Sequence, residues 1–310
     1  MLRDILEVKP GKEDEEDSKI SLGIYLYLVF GENMLVENIP QVYSHLELLS
    51  VSIPYIRVLL ENNQEIFVFK GVLLLKSLLK RIPADWLEGS TSDDPQLLSL
   101  VDPLTKVIVY NSVRETRETG FICFTLLVNI FNAEARFNLY KYLFNTLQHS
   151  GLLGWTVTHL KNTLALFFKD PAIYPGYTED KICALLSKLF HLEHGAETDL
   201  LEISDELISE INLGIYLAAR CPDYLTEVAA FKTTIKVWAF QIQEALKMSK
   251  AHWELKHKNE SGVGPDVSIQ VGGQNLPSMN KEQMGKVINS ALTTLDIIHF
   301  NLVSLLNKLE

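Results

Sequence analysis

Nothing in this sequence is apolar for long enough to cross a membrane as a helix. Its purely apolar runs, IYLYLVF at 24–30 and VLLL at 72–75, stop far below the roughly 18 residues a spanning helix needs. Residues 1–17 carry acids where a secretory signal has an apolar core, so the expected product is soluble and cytoplasmic. Cysteine is scarce: Cys123, Cys183 and Cys221 are widely spaced. That excludes a disulfide framework and the paired C-x₂-C spacing of a zinc site, leaving three reduced, buried, small hydrophobes. Basic clusters are missing too. With 28 Lys and Arg against 39 Asp and Glu, a net charge of −11 argues against a nucleic-acid partner.

Catalytic signatures are equally absent. There is no G-x-S-x-G elbow, and no P-loop lysine follows Gly272-Gly273, which reads better as a hairpin turn. His191 and His194, three apart, suit one helical face, but further zinc ligands and the H-E-x-x-H arrangement are lacking. Histidines at a helix end, here and at His252 and His257, are explained by the helix dipole. The acidic run at 13–17 reads as a disordered leader rather than a carboxylate pair. Asn259-Glu260-Ser261 is a formal sequon that reads as loop. No catalytic residue, metal ligand or cofactor is assigned, and an enzyme is not expected.

What fills the chain is helical periodicity. Apolar residues recur at helical spacing over 20–30, from Val42 through Leu46 and Leu49, and from Ile66 through Phe69, Leu73 and Leu74, before Pro83 ends that segment. Further helices are predicted over 95–110, 114–131, 133–149 and 152–168, then a loop near 169–177. Thr178 is placed to accept from first-turn amides, with Glu179 and Asp180 complementing the dipole. Helices over 199–219 and 224–257 follow. A polar loop near 259–279 comes next, with a short β-hairpin suggested near 267–277 by the alternation of Val267, Ile269 and Val271. Asn280, with Gln283 three residues on, reads as the capping box of a last helix. The expected fold is all-α: a HEAT- or armadillo-like solenoid of irregular repeats over 18–310 as a single domain, with no strict sequence period.

Two segments stand apart from plain packing. HGAETDLL at 194–201 is a polar connection between long helices, where rigid scaffolds often carry recognition residues. An N-cap at Thr198 or Asp199, with Gly195 closing the preceding helix, explains the same residues. MSKAHW at 248–253 mixes basic and aromatic groups, for which half-buried packing is the default.

These segments also carry a resemblance. GAETDLL at 195–201, Ser204-Asp205, Asn212-Leu213, Tyr216-Leu217 and MSKAH at 248–252 with Trp253 form one ordered set. Pro277-x-Met279, Ser290-Ala291-Leu292 and Asp296 continue it. Upstream lie Leu143, Asn145-Thr146, His149-Ser150-Gly151 and Lys161-Asn162, and near the start IYLYLVF and Ile39-Pro40. In this order the blocks resemble the C-terminal half of the glomulin family, inhibitors of cullin–RING ubiquitin ligases, over nearly the whole chain.

The resemblance implies a HEAT-like domain that binds the RING-box protein within cullin–RING ligases and covers its ubiquitin-conjugating-enzyme surface. Inhibition is then steric and needs no chemistry. The run at 13–17 resembles the acidic linker that precedes this half in the family. Either a shortened relative or a natural start upstream of Met1 fits, and immunophilin binding by the other half is left open. Lys161 matches a lysine of the family's interface, with Asn162 beside it. Asn145 and His149 lie about one turn apart, and Glu197, Thr198 and Asp199 suit basic RING residues. Without the resemblance, the helical pattern alone fits an α-solenoid scaffold for a trafficking or signalling assembly.

Overall fold

The computed structural model describes residues 15–34, 42–88, 95–174, 176–260, 270–271, 274–275 and 281–310. They form two compact units, Met1–Tyr142 and Leu143–Glu310. The fold is all-α, and within each unit helices stack chiefly on near neighbours in sequence, as in a solenoid of irregular repeats. Among the described residues no helix is long and apolar enough to cross a membrane.

In the first unit, α1 (Glu15–Leu26) runs into a π-helical turn (Tyr27–Gly31), followed by α2 (His45–Leu60) and α3 (Glu65–Leu79). Next come the short α4 (Pro95–Leu98), then α5 (Val101–Tyr110) and α6 (Arg114–Ile130). Ser44 starts α2 from an extended backbone, its Oγ accepting from the Glu47 amide at 3.1 Å, the S-x-x-E pattern of a capping box. Val42, assigned to this helix by its spacing, therefore lies before the cap and is exposed. Gly71 sets the α2–α3 distance, because a Cβ there would sit 2.9 Å from Leu59 Cβ.

Helices α3 and α6 lie side by side and run the same way. Glu65 accepts from Thr116 Oγ1 at 2.6 Å, and the Cys123 thiol donates to the Val72 carbonyl at 3.3 Å, each pair 51 residues apart. Burial pushes the Cys123 thiol up to about 12. Beyond the helix ends, Asp85 and Arg136 pair, again 51 apart.

Helix α7 (Ala133–Thr146) contains the unit boundary. The second unit continues with α8 (Ser150–Lys169), α9 (Glu179–Leu189), α10 (Ser204–Arg220), α11 (Thr226–Ala230), α12 (Lys232–Glu260) and α13 (Lys281–Leu309). Helices α8 and α10 are parallel neighbours: Thr158 meets Ser209, 51 residues on, at 3.5 Å, and Phe168 stacks on Tyr216 with centroids 5.9 Å apart. Between α9 and α11, the Glu227 amide donates to Glu179 Oε2 at 2.7 Å, a separation of 48. Helix α13 closes the unit against α10 and α12. A structural pitch near fifty residues thus recurs in both units. Each parallel pair is held by different residue types, so the pitch leaves no repeat of identity.

Several local expectations are revised. The helix expected from 199 begins at Ser204, that expected over 224–257 breaks at Phe231, and 95–110 divides into α4 and α5. Helix α7 stops at Thr146, short of 149. Thr178 heads α9 but makes no capping bond; its hydroxyl donates to the Asp180 carboxylate instead. His191 and His194 are exposed in a non-helical connection, so they share no helical face. Cys123 is buried, whereas Cys183 and Cys221 are only half-buried. The pieces Gln270–Val271 and Gln274–Asn275 pair antiparallel, with Gln270 opposite Asn275 and Val271 opposite Gln274. Residues 1–14, Val267, Ile269, Gly272-Gly273 and Asn280 lie outside the described residues.

Candidate interaction surface

Helix α8 begins where α10 begins. The Ser150 hydroxyl accepts from the Glu206 amide at 3.0 Å, so α8 supplies a cap for the first turn of its neighbour. That explains the late start of α10. Asp199 Oδ1 accepts instead from Leu201 N at 3.0 Å, a local Asx turn, while Thr198 Oγ1 donates to the Gly195 carbonyl at 2.9 Å. Gly195 opens that turn at φ +54°, a conformation glycine adopts without a Cβ penalty. Glu197 and Asp199 are exposed and Thr198 is half-buried. Their turn packs against α12.

Close approach makes the α8–α10 seam rigid. A Cβ on Gly154 would lie 2.6 Å from the Asp205 carbonyl oxygen, so only glycine fits. Gly154, Thr158 and Phe168 fall on one line of α8, and each meets α10. Lys161 is on this same line, between Thr158 and Phe168, and is half-buried. Among the described residues it has no hydrogen-bond or ion-pair partner. Asn162, next to it, is exposed on the adjoining outer face, which also presents Leu166 and the Trp155–His159 ring pair at 4.9 Å.

Asn145 lies in the last turn of α7 and His149 is the N-cap residue of α8, so the two flank the joint between these helices and do not share a helical turn. Asn145 Oδ1 accepts from Lys188 Nζ at 2.7 Å, which ties the end of α7 to α9. His149 is exposed beside Gly151, whose added Cβ would touch both its ring and the Asp205 carboxylate. About 18 Å of helix separates His149 from Lys161. The candidate residues therefore form two groups, Asn145 and His149 at the α7–α8 joint and Lys161 with Asn162 along α8, with the 197–199 turn leading into the helix alongside.

The acidic character near this end was visible in the sequence, since 193–210 holds seven acids and no Lys or Arg. Its partial burial was not. Burial raises the Glu206 carboxyl above its usual range, and burial together with neighbouring Glu206 raises Glu210 much further. Trp155 and His159 were also missed as surface features. The i, i+4, i+7, i+11 spacing of Trp155, His159, Asn162 and Leu166 is the signal that would have found them.

Among the described residues no group of three or more His, Cys, Asp or Glu side chains is arranged to hold a metal ion. The surface offers hydrogen-bonding, ionic and aromatic contacts to a partner.

The family model described as "Uncharacterised protein family, YAP/Alf4/glomulin" matches residues 5–295. Human glomulin is 29% identical over 294 residues, covering 92% of this chain and 50% of that protein. Mouse glomulin is 29% identical over 301 residues with the same coverage. The chain thus spans about half the length of the curated relatives it matches. On a match reaching from residue 5 to residue 295, the chain belongs to the YAP/Alf4/glomulin family.

Proposed function

We propose that this chain is a cytoplasmic, non-catalytic inhibitor of cullin–RING ubiquitin ligases. It binds the RING-box subunit through α8 and the 197–199 turn and sterically masks the surface used by the ubiquitin-conjugating enzyme. The relationship to glomulin across 92% of the chain carries this reading. The α8 surface supports it: Lys161 offers a half-buried cation without an internal partner, Asn145, His149 and Asn162 are exposed polar groups, and Glu197, Thr198 and Asp199 offer acceptors for basic residues. A seam as tight as Gly154 on Asp205 presents these groups with little ordering cost on binding.

The test is binding of the purified chain to a cullin–RING-box complex, with ubiquitin transfer followed in parallel. Saturable binding and loss of transfer are expected. Lys161→Glu is expected to weaken binding by about tenfold or more, as reversing an interfacial charge sets like charges together, with the helical circular-dichroism signal unchanged. Binding that leaves ubiquitin transfer intact removes the masking mechanism. Unchanged affinity of the variant removes Lys161 from the surface. If the complex is not bound at all, a scaffold for a trafficking or signalling assembly becomes the better reading, and it rests on the helical stacking alone.

A further inference from the structure

Helix α12 is apolar on two opposite sides. On one, Ile235, Trp238, Ala239, Ile242, Ala245 and Leu246 are buried, and the helix packs on α13, α10 and the 195–197 turn. On the other, Val237, Phe240, Met248, Ala251 and Leu255 recur at i, i+3, i+11, i+14 and i+18, one outward line of an α-helix. All five are exposed, Val237 at 56%, Phe240 at 48%, Met248 at 55% and Leu255 at 60%. A surface helix requires one apolar stripe, facing its core. The second stripe runs for about 27 Å, and no described residue covers it.

Charge says what fits it. From 232 to 258 the helix carries six lysines against two glutamates, in a chain of net charge −11. Lys236 and Lys247 follow one flank of the outer stripe at i and i+11, and Lys250 at i+14 is already paired with Asp296 of α13 at 2.6 Å. Glu244 stands in the middle of the stripe, exposed and paired with Lys247 at 2.7 Å. We propose that this outer face of α12 docks an acidic amphipathic helix of a partner protein, stripe against stripe, with the partner's carboxylates along the lysine flank.

A lipid surface fits less well. Glu244 would be carried into the acyl boundary, and the net negative chain is repelled by anionic headgroups. A second copy of this face would set lysines beside lysines. The surface is separate from the one on α8, so this proposal does not depend on RING-box binding.

A fluorescein-labelled synthetic peptide of about 20 residues, with leucines at helical spacing flanked by glutamates, is the probe. It is titrated with the full 310-residue chain and followed by anisotropy. A peptide with lysines in place of the glutamates is the comparator. The acidic peptide is expected to bind at least about tenfold more tightly than the basic one, and raising salt is expected to narrow the gap. The paired substitution Phe240→Ser and Met248→Ser should cost about tenfold or more, as truncated apolar anchors do. Both residues are exposed, so the thermal midpoint and RING-box binding should not change. The proposal is overturned if both peptides bind equally or neither binds. It is also overturned if the wild-type chain, but not the variant, sediments with phosphatidylserine vesicles or self-associates in the ultracentrifuge in place of peptide binding.

Discussion

Each unit takes one charged side chain out of water: among the described residues these are Arg136 in Met1–Tyr142 and Glu210 in Leu143–Glu310. Arg136 is surrounded by acceptors. Its guanidinium donates to the carbonyls of Phe131 at 2.6 Å, Val128 at 3.3 Å and Asn129 at 3.3 Å, and pairs with the Asp85 carboxylate. Glu210 has no hydrogen bond among the described residues, and the nearest charge influencing it is another acid, Glu206. The buried cation follows from the needs of the fold, because the last carbonyls of α6 lack intrahelical donors and Arg136 supplies them. Asp85 completes this knot from φ +60°, its own amide donating to the Asn129 carbonyl at 2.9 Å. No comparable fold requirement accounts for the buried acid. Departures from local consistency concentrate at functional or strained sites, and this one lies in α10, the helix beside the proposed surface.

If that contrast is sound, the largest effect belongs to the satisfied charge. Arg136→Ala strands the Val128 and Phe131 carbonyls, since Asn129 keeps the Asp85 amide, and is expected to cost about 3 kcal/mol in urea unfolding. Arg136→Lys should fall between, since an ammonium cannot reproduce the guanidinium fork. A loss below about 1 kcal/mol, the worth of one ordinary hydrogen bond, would mean the knot is not what holds the end of α6.

Glu210 predicts the opposite sign. Burial raises its folded-state pKa above the unfolded value, so the native chain holds a proton that the unfolded chain releases. Stability from this group is full below the ordinary carboxylate pKa and is lost as pH rises from there through the raised folded-state pKa. Glu210→Gln should therefore raise stability near pH 7.5 by about 1–2 kcal/mol, with the gain shrinking toward zero as both forms of the wild type become protonated below pH ~4. Melting curves across this range decide the matter. A destabilising substitution at neutral pH would show that the carboxylate has a partner after all.

Helices were legible because their signal is local: the periodic apolar residues of α6, α8 and α13 mark them without knowledge of neighbours. Their joints were not. Ser150 lies 56 residues from the amide it caps, so residues near Asp199 gave a sound capping motif at the wrong place. The fifty-residue pitch was hidden because Glu65–Thr116, Val72–Cys123 and Thr158–Ser209 share a separation and no chemistry. Lys161 could be named from the resemblance, but its position on the α8–α10 seam depends on which helix lies alongside. The outer stripe of α12 was equally silent, because periodicity does not say which of two apolar faces is covered.

The smallest predicted effect sharpens the comparison from the side of unit 2. Helix α10 has no side-chain cap of its own: Ile203 occupies the N-cap position. Its Glu206 amide is satisfied by Ser150 from α8, so capping and helix packing are coupled there. In the first unit α2 is capped by its own Ser44, three residues from the amide it serves. Both Ser150→Ala and Ser44→Ala should cost about 1 kcal/mol. The difference lies in where the damage spreads. Losing Ser44 frays the start of α2 alone, whereas losing Ser150 loosens the seam that carries Lys161. Amide hydrogen exchange should accordingly quicken in the first turns of both α8 and α10 in Ser150→Ala, but only in the first turn of α2 in Ser44→Ala. Faster exchange confined to α10 would show that the seam is held by Gly154 and the Phe168–Tyr216 stack without help from the cap.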